Sequence, residues 1–297
     1  MLRLIKAELY VLFKTRTFKV LCAIALFLAI GVLGLTKLMS SEEFIKSSLK
    51  GMSPEQQEQF MDTLQSAGSG ENDSVIIPGS GLGFHIQAND IFKPTAKETY
   101  HAAFGSGIIE MIMAVLIGAM VAKEYSTGTI KNILAYGKRR EYYYVSKLIA
   151  CAIGLAAVLG IILVVATIGG ITLFGWGEAF SPSQALGMLM NFLGAMAVGM
   201  GIISVLMLIA TLVKSSGATI GIGIVTMAVL PMVISFLYGK FDWFDKMYQY
   251  SLSYNWALAT SIKSTNGDIL KAIIVGLLTL LIATGAGIGL FRKQDIK

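Results

Sequence analysis

LIACAIGLAAVLGIILVVATIGGITLFGW, residues 148–176, contains no Asp, Glu, Lys or Arg. A helix needs about 20 mostly apolar residues to cross the ~30 Å hydrocarbon core of a membrane, and only a helix or a closed barrel satisfies its backbone there. Outward from this stretch, five more meet the same requirement: 18–36, 103–122, 185–213, 216–238 and 269–291. None alternates with the two-residue period of barrel strands. Composition agrees, at 55% hydrophobic and 14% charged over 297 residues with a mean hydropathy of +0.70, where soluble domains are about a quarter charged. The sequence therefore predicts an all-α membrane protein with six transmembrane helices. The same arithmetic excludes a disordered chain and a disulfide scaffold. Cys22 and Cys151 fall in apolar runs and read as small hydrophobes.

The net charge of +6 reads as topology rather than nucleic-acid binding once its distribution is followed, because Lys and Arg gather on the cytoplasmic side of membrane proteins. Six spans divide the loops into two sets. One set holds Arg3, Lys6, Lys14, Arg16 and Lys19; the loop with Lys123, Lys131, Lys138, Arg139, Arg140 and Lys147; Lys214; and Arg292, Lys293 and Lys297. That is fifteen cations against four acids. The other set has nine cations and thirteen acids, and Glu110 remains inside a span. Net charges of +11 and −4 predict that both termini are cytoplasmic in a multi-pass cell-membrane protein. The apolar run at 20–36 is followed by Thr36-Lys37-Leu38-Met39 rather than a small-residue cleavage site, so it reads as a retained helix and not a signal peptide.

Residues 1–17 place Leu2, Ile5, Leu9, Leu12 and Phe13 at helical spacing, with Arg3, Lys6, Tyr10 and Lys14 on other faces. This predicts an amphipathic interfacial helix ahead of a permease-sized domain, 18–297. Residues 37–102 form a long exterior loop, in which Ser53-Pro54-Glu55 opens a polar helix followed by Gly/Ser-rich segments. Residues 123–147 form the longest cytoplasmic loop. Residues 239–268 carry Trp243, Phe244, Tyr248, Tyr250, Tyr254 and Trp256, a density that suits headgroup level and predicts a segment lying on or dipping into the outer leaflet.

Enzyme motifs are missing. There is no G-x-x-x-x-G-K-[ST], no H-E-x-x-H and no CxxC, and Gly79-Ser80-Gly81-Leu82-Gly83 opens no helix after a buried strand. His85 and His101 fall outside or at the edge of the spans, unsuited to an intramembrane histidine-serine hydrolase. The chain does not read as an enzyme.

The loop from Lys123 to Arg140 reads KEYSTGTIKNILAYGKRR. A short helix with Ile130, Ile133 and Leu134 on one side and charges on the other suits docking of a cytosolic protein; the bland alternative is a solvated basic loop that only holds topology. An acid just past the second span, a Gly-Thr pair, an aliphatic turn ending in Leu-Ala and a basic stretch before the third span resemble the coupling loop of the type-2 ABC exporter permeases. The layout resembles them too, in the amphipathic first helix, six spans, cytoplasmic termini and membrane-dipping segment before the sixth. The large first exterior loop is similar to that of the bacterial branch handling antimicrobial peptides, toxins and antibiotics. The resemblance implies that Glu124, Tyr125, Gly128, Thr129, Ile130, Ile133 and Leu134 contact a separate cytosolic ABC ATPase. It implies that ATP and Mg sit on that subunit and no cofactor on this chain. It also implies a second permease subunit, identical or paralogous, and a hydrophobic or amphipathic substrate moved out of the cell or membrane across a bacterial plasma membrane. The alternative from another class is a non-transporting sensor or anchor whose 37–102 loop binds an extracellular ligand.

Glu110 is the one acid deep in an apolar run. A carboxylate there costs several kcal/mol unless it meets water, a partner or a cavity, so it reads either as a substrate-pathway acid or as an interfacial acid bonded to a neighbouring span. Gly217/Gly221 and Gly285/Gly289 have the four-residue spacing of close helix packing, ordinarily within the chain. Pro231 predicts a bend in the fifth span.

Overall fold

A computed structural model describes residues 1–53, 55–57, 59–61, 82–87, 90–130, 139–177 and 179–294. It is mostly helical, and the described residues contain one isolated antiparallel bridge, Gly83 to Ser106, and no strand. Among the described residues, five helices are long and apolar enough to cross a membrane: Arg16–Met39, Arg140–Phe174, Pro182–Val213, Ser216–Ser235 and Asn266–Lys293. These are compatible with a multi-pass membrane protein.

The first helix, α1 (Leu2–Lys14), ends at Thr15, whose extended backbone and Oγ1 bond to the Val11 carbonyl (2.6 Å) turn the chain into α2 (Arg16–Met39). Phe18, Leu21, Ala25, Ala29, Val32 and Leu33 make the buried stripe of α2, while Phe27 and Ile30 point away from the bundle. This one-sided burial follows the three-to-four-residue apolar spacing. After α3 (Glu42–Ser48) the next labelled helix is α4 (Ala96–Ala102), opened by a capping box in which Thr95 and Glu98 exchange bonds.

The stretch 103–122 differs from expectation. The helix starts at Ile108, not Ala103, because Gly105 and Gly107 adopt φ +60° and +75° to bring Ser106 against Gly83. From there α5 (Ile108–Ile117, 10 residues) runs through a π turn (Gly118–Ala122, 5 residues) into α6 (Lys123–Ser126, 4 residues), a rod of roughly 28 Å at 1.5 Å per residue. It is missing from the long apolar set because Glu110, Lys123 and Glu124 all lie on it. The turn sits where Ser216 Oγ takes the Gly118 carbonyl (2.8 Å) and where a Cβ on Gly118 would fall 2.3 Å from Ile220.

Next, α7 (Arg140–Phe174) begins two turns earlier than the apolar run that starts at 148. Then α8 (Pro182–Val213), opened by a Ser181/Gln184 capping box, is the most enclosed of the five long helices. Following it, α9 (Ser216–Ile224) passes through a second π turn (Val225–Val229) into α10 (Leu230–Ser235). Pro231 supplies no N–H to the preceding turn, and the irregularity falls just before it, as expected of a proline in a helix. Two short helices, α11 (Asp242–Tyr248) and α12 (Leu252–Thr260), form the aromatic segment, and α13 (Asn266–Lys293) closes the chain.

At the crossing of α8 and α13 backbone packs against backbone: a Cβ on Gly276 would meet the Ala197 carbonyl oxygen at 2.5 Å. At Gly217, Gly221, Gly285 and Gly289 nothing lies within 4 Å of a Cβ position. The four-residue glycine spacing therefore does not mark the close packing within this chain; other glycines supply it.

Candidate functional site

Glu8, Glu124, Tyr143 and Lys147 come from three separate stretches and meet at one end of the bundle. In α7, Lys147 is two turns past the start, and its Nζ lies 2.5 Å from Glu8 Oε2 of α1 and 2.6 Å from Glu124 Oε1 of α6. One turn earlier on the same face, Tyr143 donates its hydroxyl to Glu124 Oε2. The Lys147 side chain is 1% exposed, Glu8 7% and Glu124 17%. A buried ammonium of this kind survives only when opposite charge faces it; Glu124 accepts its hydrogen bond and Glu8 pairs with it by charge. Two acids against one cation leave the cluster short of positive charge. Burial pushes the Glu8 carboxyl above its ordinary range, Lys147 pulls it down, and Glu124 pushes it the same way as burial.

An aromatic shell surrounds the cluster. Phe291, fully buried near the end of α13, stacks on Tyr143 (5.8 Å, 29°) and takes the edge of Tyr125 (6.1 Å). Tyr125 donates to Thr211 Oγ1 at 3.3 Å, and burial pushes its hydroxyl up to about 12, so it stays a donor. Arg140 Nη1 reaches the carbonyls of Phe291, Arg292 and Gln294 at 3.0, 2.9 and 2.7 Å. These are orphan acceptors at a helix C-terminus, where a cation is favoured. Arg292 in turn pairs with Glu141.

The residues expected in the coupling loop divide by direction. Glu124 and Tyr125 face inward to Lys147, Tyr143 and Thr211, and Ile130 is 1% exposed. Thr129 is exposed, and Gly128 holds φ +70° with nothing within 4 Å of a Cβ position. Together with exposed Lys123, Ser126 and Thr127 they form the outward surface. Ile133 and Leu134 lie outside the described residues. Glu110 is elsewhere, in the first turn of α5 and 2% exposed. Its Oε2 meets no hydrogen-bond donor among the described residues. A helix N-terminus favours an acid, which gives Glu110 a local reason to be there.

Sequence reading does not single out Glu8, Tyr143, Lys147 or Arg140. One signal was available: Glu8 is the sole acid among the first forty-one residues, on a helix otherwise basic and apolar.

Residues 83–297 match a family described as "Protein of unknown function (DUF2705)". The chain belongs to that family. No curated protein and no solved structure matches it. The matched region includes Glu124, Tyr143 and Lys147, whereas Glu8 precedes it.

Proposed function

We propose that this chain is the transmembrane permease subunit of an ATP-driven exporter of the type-2 ABC class, crossing the membrane six times with both termini in the cytoplasm. The observation that carries this reading is the ion cluster that fastens α6 to α1 and α7. A short helix joined rigidly to long ones converts a push on its outer surface into movement of those helices, whereas a loosely tethered loop would absorb it. The end that holds the cluster is also the basic one, which suits a cytoplasmic position. Lys123, Ser126, Thr127, Gly128 and Thr129 then meet a separate ABC ATPase that carries ATP and Mg. Glu124, Tyr125 and Ile130 act from behind, holding that surface in place. A second permease subunit completes the pathway, and the cargo is a hydrophobic or amphipathic peptide, toxin, antibiotic or lipid-like molecule, moved across a bacterial plasma membrane.

Coexpression with a candidate ABC ATPase subunit from the same genome tests the reading. Gly128→Asn tolerates positive φ but adds bulk to the outward surface, and it is expected to reduce ATPase copurification at least several-fold while the permease still inserts. Normal copurification with Gly128→Asn and with Thr129→Arg would remove the docking assignment. Failure to find any compound that stimulates hydrolysis in the assembled pair would remove export.

A further inference from the structure

The buried face of α1 is occupied by Glu8 and Leu12. At 100° per residue, Arg3, Lys6, Tyr10 and Lys14 fall on the opposite face, and all four are exposed. Lys14 Nζ stands 5.3 Å from the centre of the Tyr10 ring. Arg16 and Lys19, just past the Thr15 turn, are exposed as well. The only acid before Glu42 is Glu8, and it points into the bundle, where it pairs with Lys147. Nothing acidic on this segment therefore competes for its outward cations. Along one flank of the basic face lie the exposed side chains of Leu2 and Phe13. Cations beside an apolar flank match a surface of phosphate headgroups above acyl chains, where each Lys or Arg contributes about 1 kcal/mol with anionic lipid.

We propose that the outer face of α1 is a binding surface for anionic phospholipid. Arg3, Lys6 and Lys14 hold the headgroup phosphates, and Leu2 and Phe13 enter the acyl region. Lipid held there fixes the helix whose other face supplies Glu8 to Lys147, so headgroup charge bears on the ion cluster through a single rigid element. The proposal rests on this end of the bundle lying at the membrane surface and is independent of whether the protein exports anything.

Native mass spectrometry of the full detergent-solubilised chain, titrated with phosphatidylglycerol or phosphatidylcholine, tests it. Phosphatidylglycerol is expected to bind more tightly, and Lys6→Gln/Lys14→Gln to weaken it by roughly 25-fold, from about five-fold per cation. Lys6→Arg/Lys14→Arg should retain binding. The control Lys214→Gln/Lys293→Gln, which removes the same charge elsewhere at this end, should change it less than two- to three-fold. Equal binding of the two lipids, or equal loss in both Gln pairs, would overturn the proposal. Displacement of phosphatidylglycerol by inorganic phosphate would overturn the assignment to lipid, because the acyl flank would then contribute nothing.

Discussion

The two ends of the bundle are fastened by different chemistry. At one end, Lys147 is shared by Glu8 and Glu124, and Arg140 closes α13. At the other, neutral groups hold the elements together: Tyr100 donates to the Met188 carbonyl (2.7 Å), Trp256 to the Gly105 carbonyl (3.0 Å), and Asn191 to the Ala259 carbonyl (2.7 Å). His101 Nδ1 lies 2.9 Å from the Thr260 carbonyl. Neutral bonds to backbone carbonyls have one good geometry and a modest net worth each. Buried charges are worth little as a matched set, yet unmatched they are very costly. The neutral end is thus built to stay as it is, whereas the charged end responds sharply to any change in its count of charges.

The largest way to break this contrast is Lys147→Met. It strands the buried Glu8 carboxylate and the half-buried Glu124 carboxylate and is expected to cost about 3–5 kcal/mol, read as lost expression or a large fall in Tm in detergent. Adding Glu8→Gln and Glu124→Gln should recover most of the loss, since a neutral trio avoids the uncompensated charge; no recovery would mean that Lys147 matters by shape alone.

Acid should act on the other end. Burial lowers the His101 pKa from 6.5 to about 4, with the Thr260 carbonyl opposing and Lys97 assisting. The folded state then binds fewer protons than the unfolded one, so stability is complete above about pH 6.5 and is lost as pH falls toward 4, by up to roughly 3 kcal/mol. His101→Gln should flatten the His101 part of that profile, measured as the difference in Tm between the two proteins across the range. A parallel pair of profiles would show that His101 does not titrate there.

The smallest effect belongs to Arg292→Gln. Its pair with Glu141 is at the charged end but largely solvated, and exposed pairs contribute about 0–1 kcal/mol. A loss comparable with that of Lys147→Met would erase the distinction between buried and exposed charge on which the comparison depends.

Much of the helix layout was legible because a membrane span is a local property of composition. Residues 185–213 and 269–291 lie within long helices, and so does 148–176 except for Gly175 and Trp176, which follow the helix end at Phe174. What escaped was set by polar residues and by tertiary partners. The apolar run at 148 conceals that Arg140, Tyr143 and Lys147 extend the same helix, since hydropathy does not register a charged turn whose partners lie on α1, α6 and α13. Residues 103–107 read as part of the span because composition does not register the two left-handed glycines that delay the helix to Ile108. The inward direction of Glu124 depends on Lys147, and no periodicity within 123–147 encodes that contact. Gly276 and Gly118 differ from Gly217 and Gly285 only by what stands opposite, which a one-dimensional pattern does not contain.

The π turn at Gly118–Ala122 stands immediately before α6. A π turn closes its ring one residue later than an α turn, so it stores a surplus residue in the rod. Were that segment to tighten to α pitch, everything beyond it would rotate by roughly 100°, the angle of one residue. Glu124 would then swing off Lys147 and present its carboxylate to the side now occupied by its neighbours. The phase of a single helical turn thus fixes which residues of α6 face the bundle and which face outward.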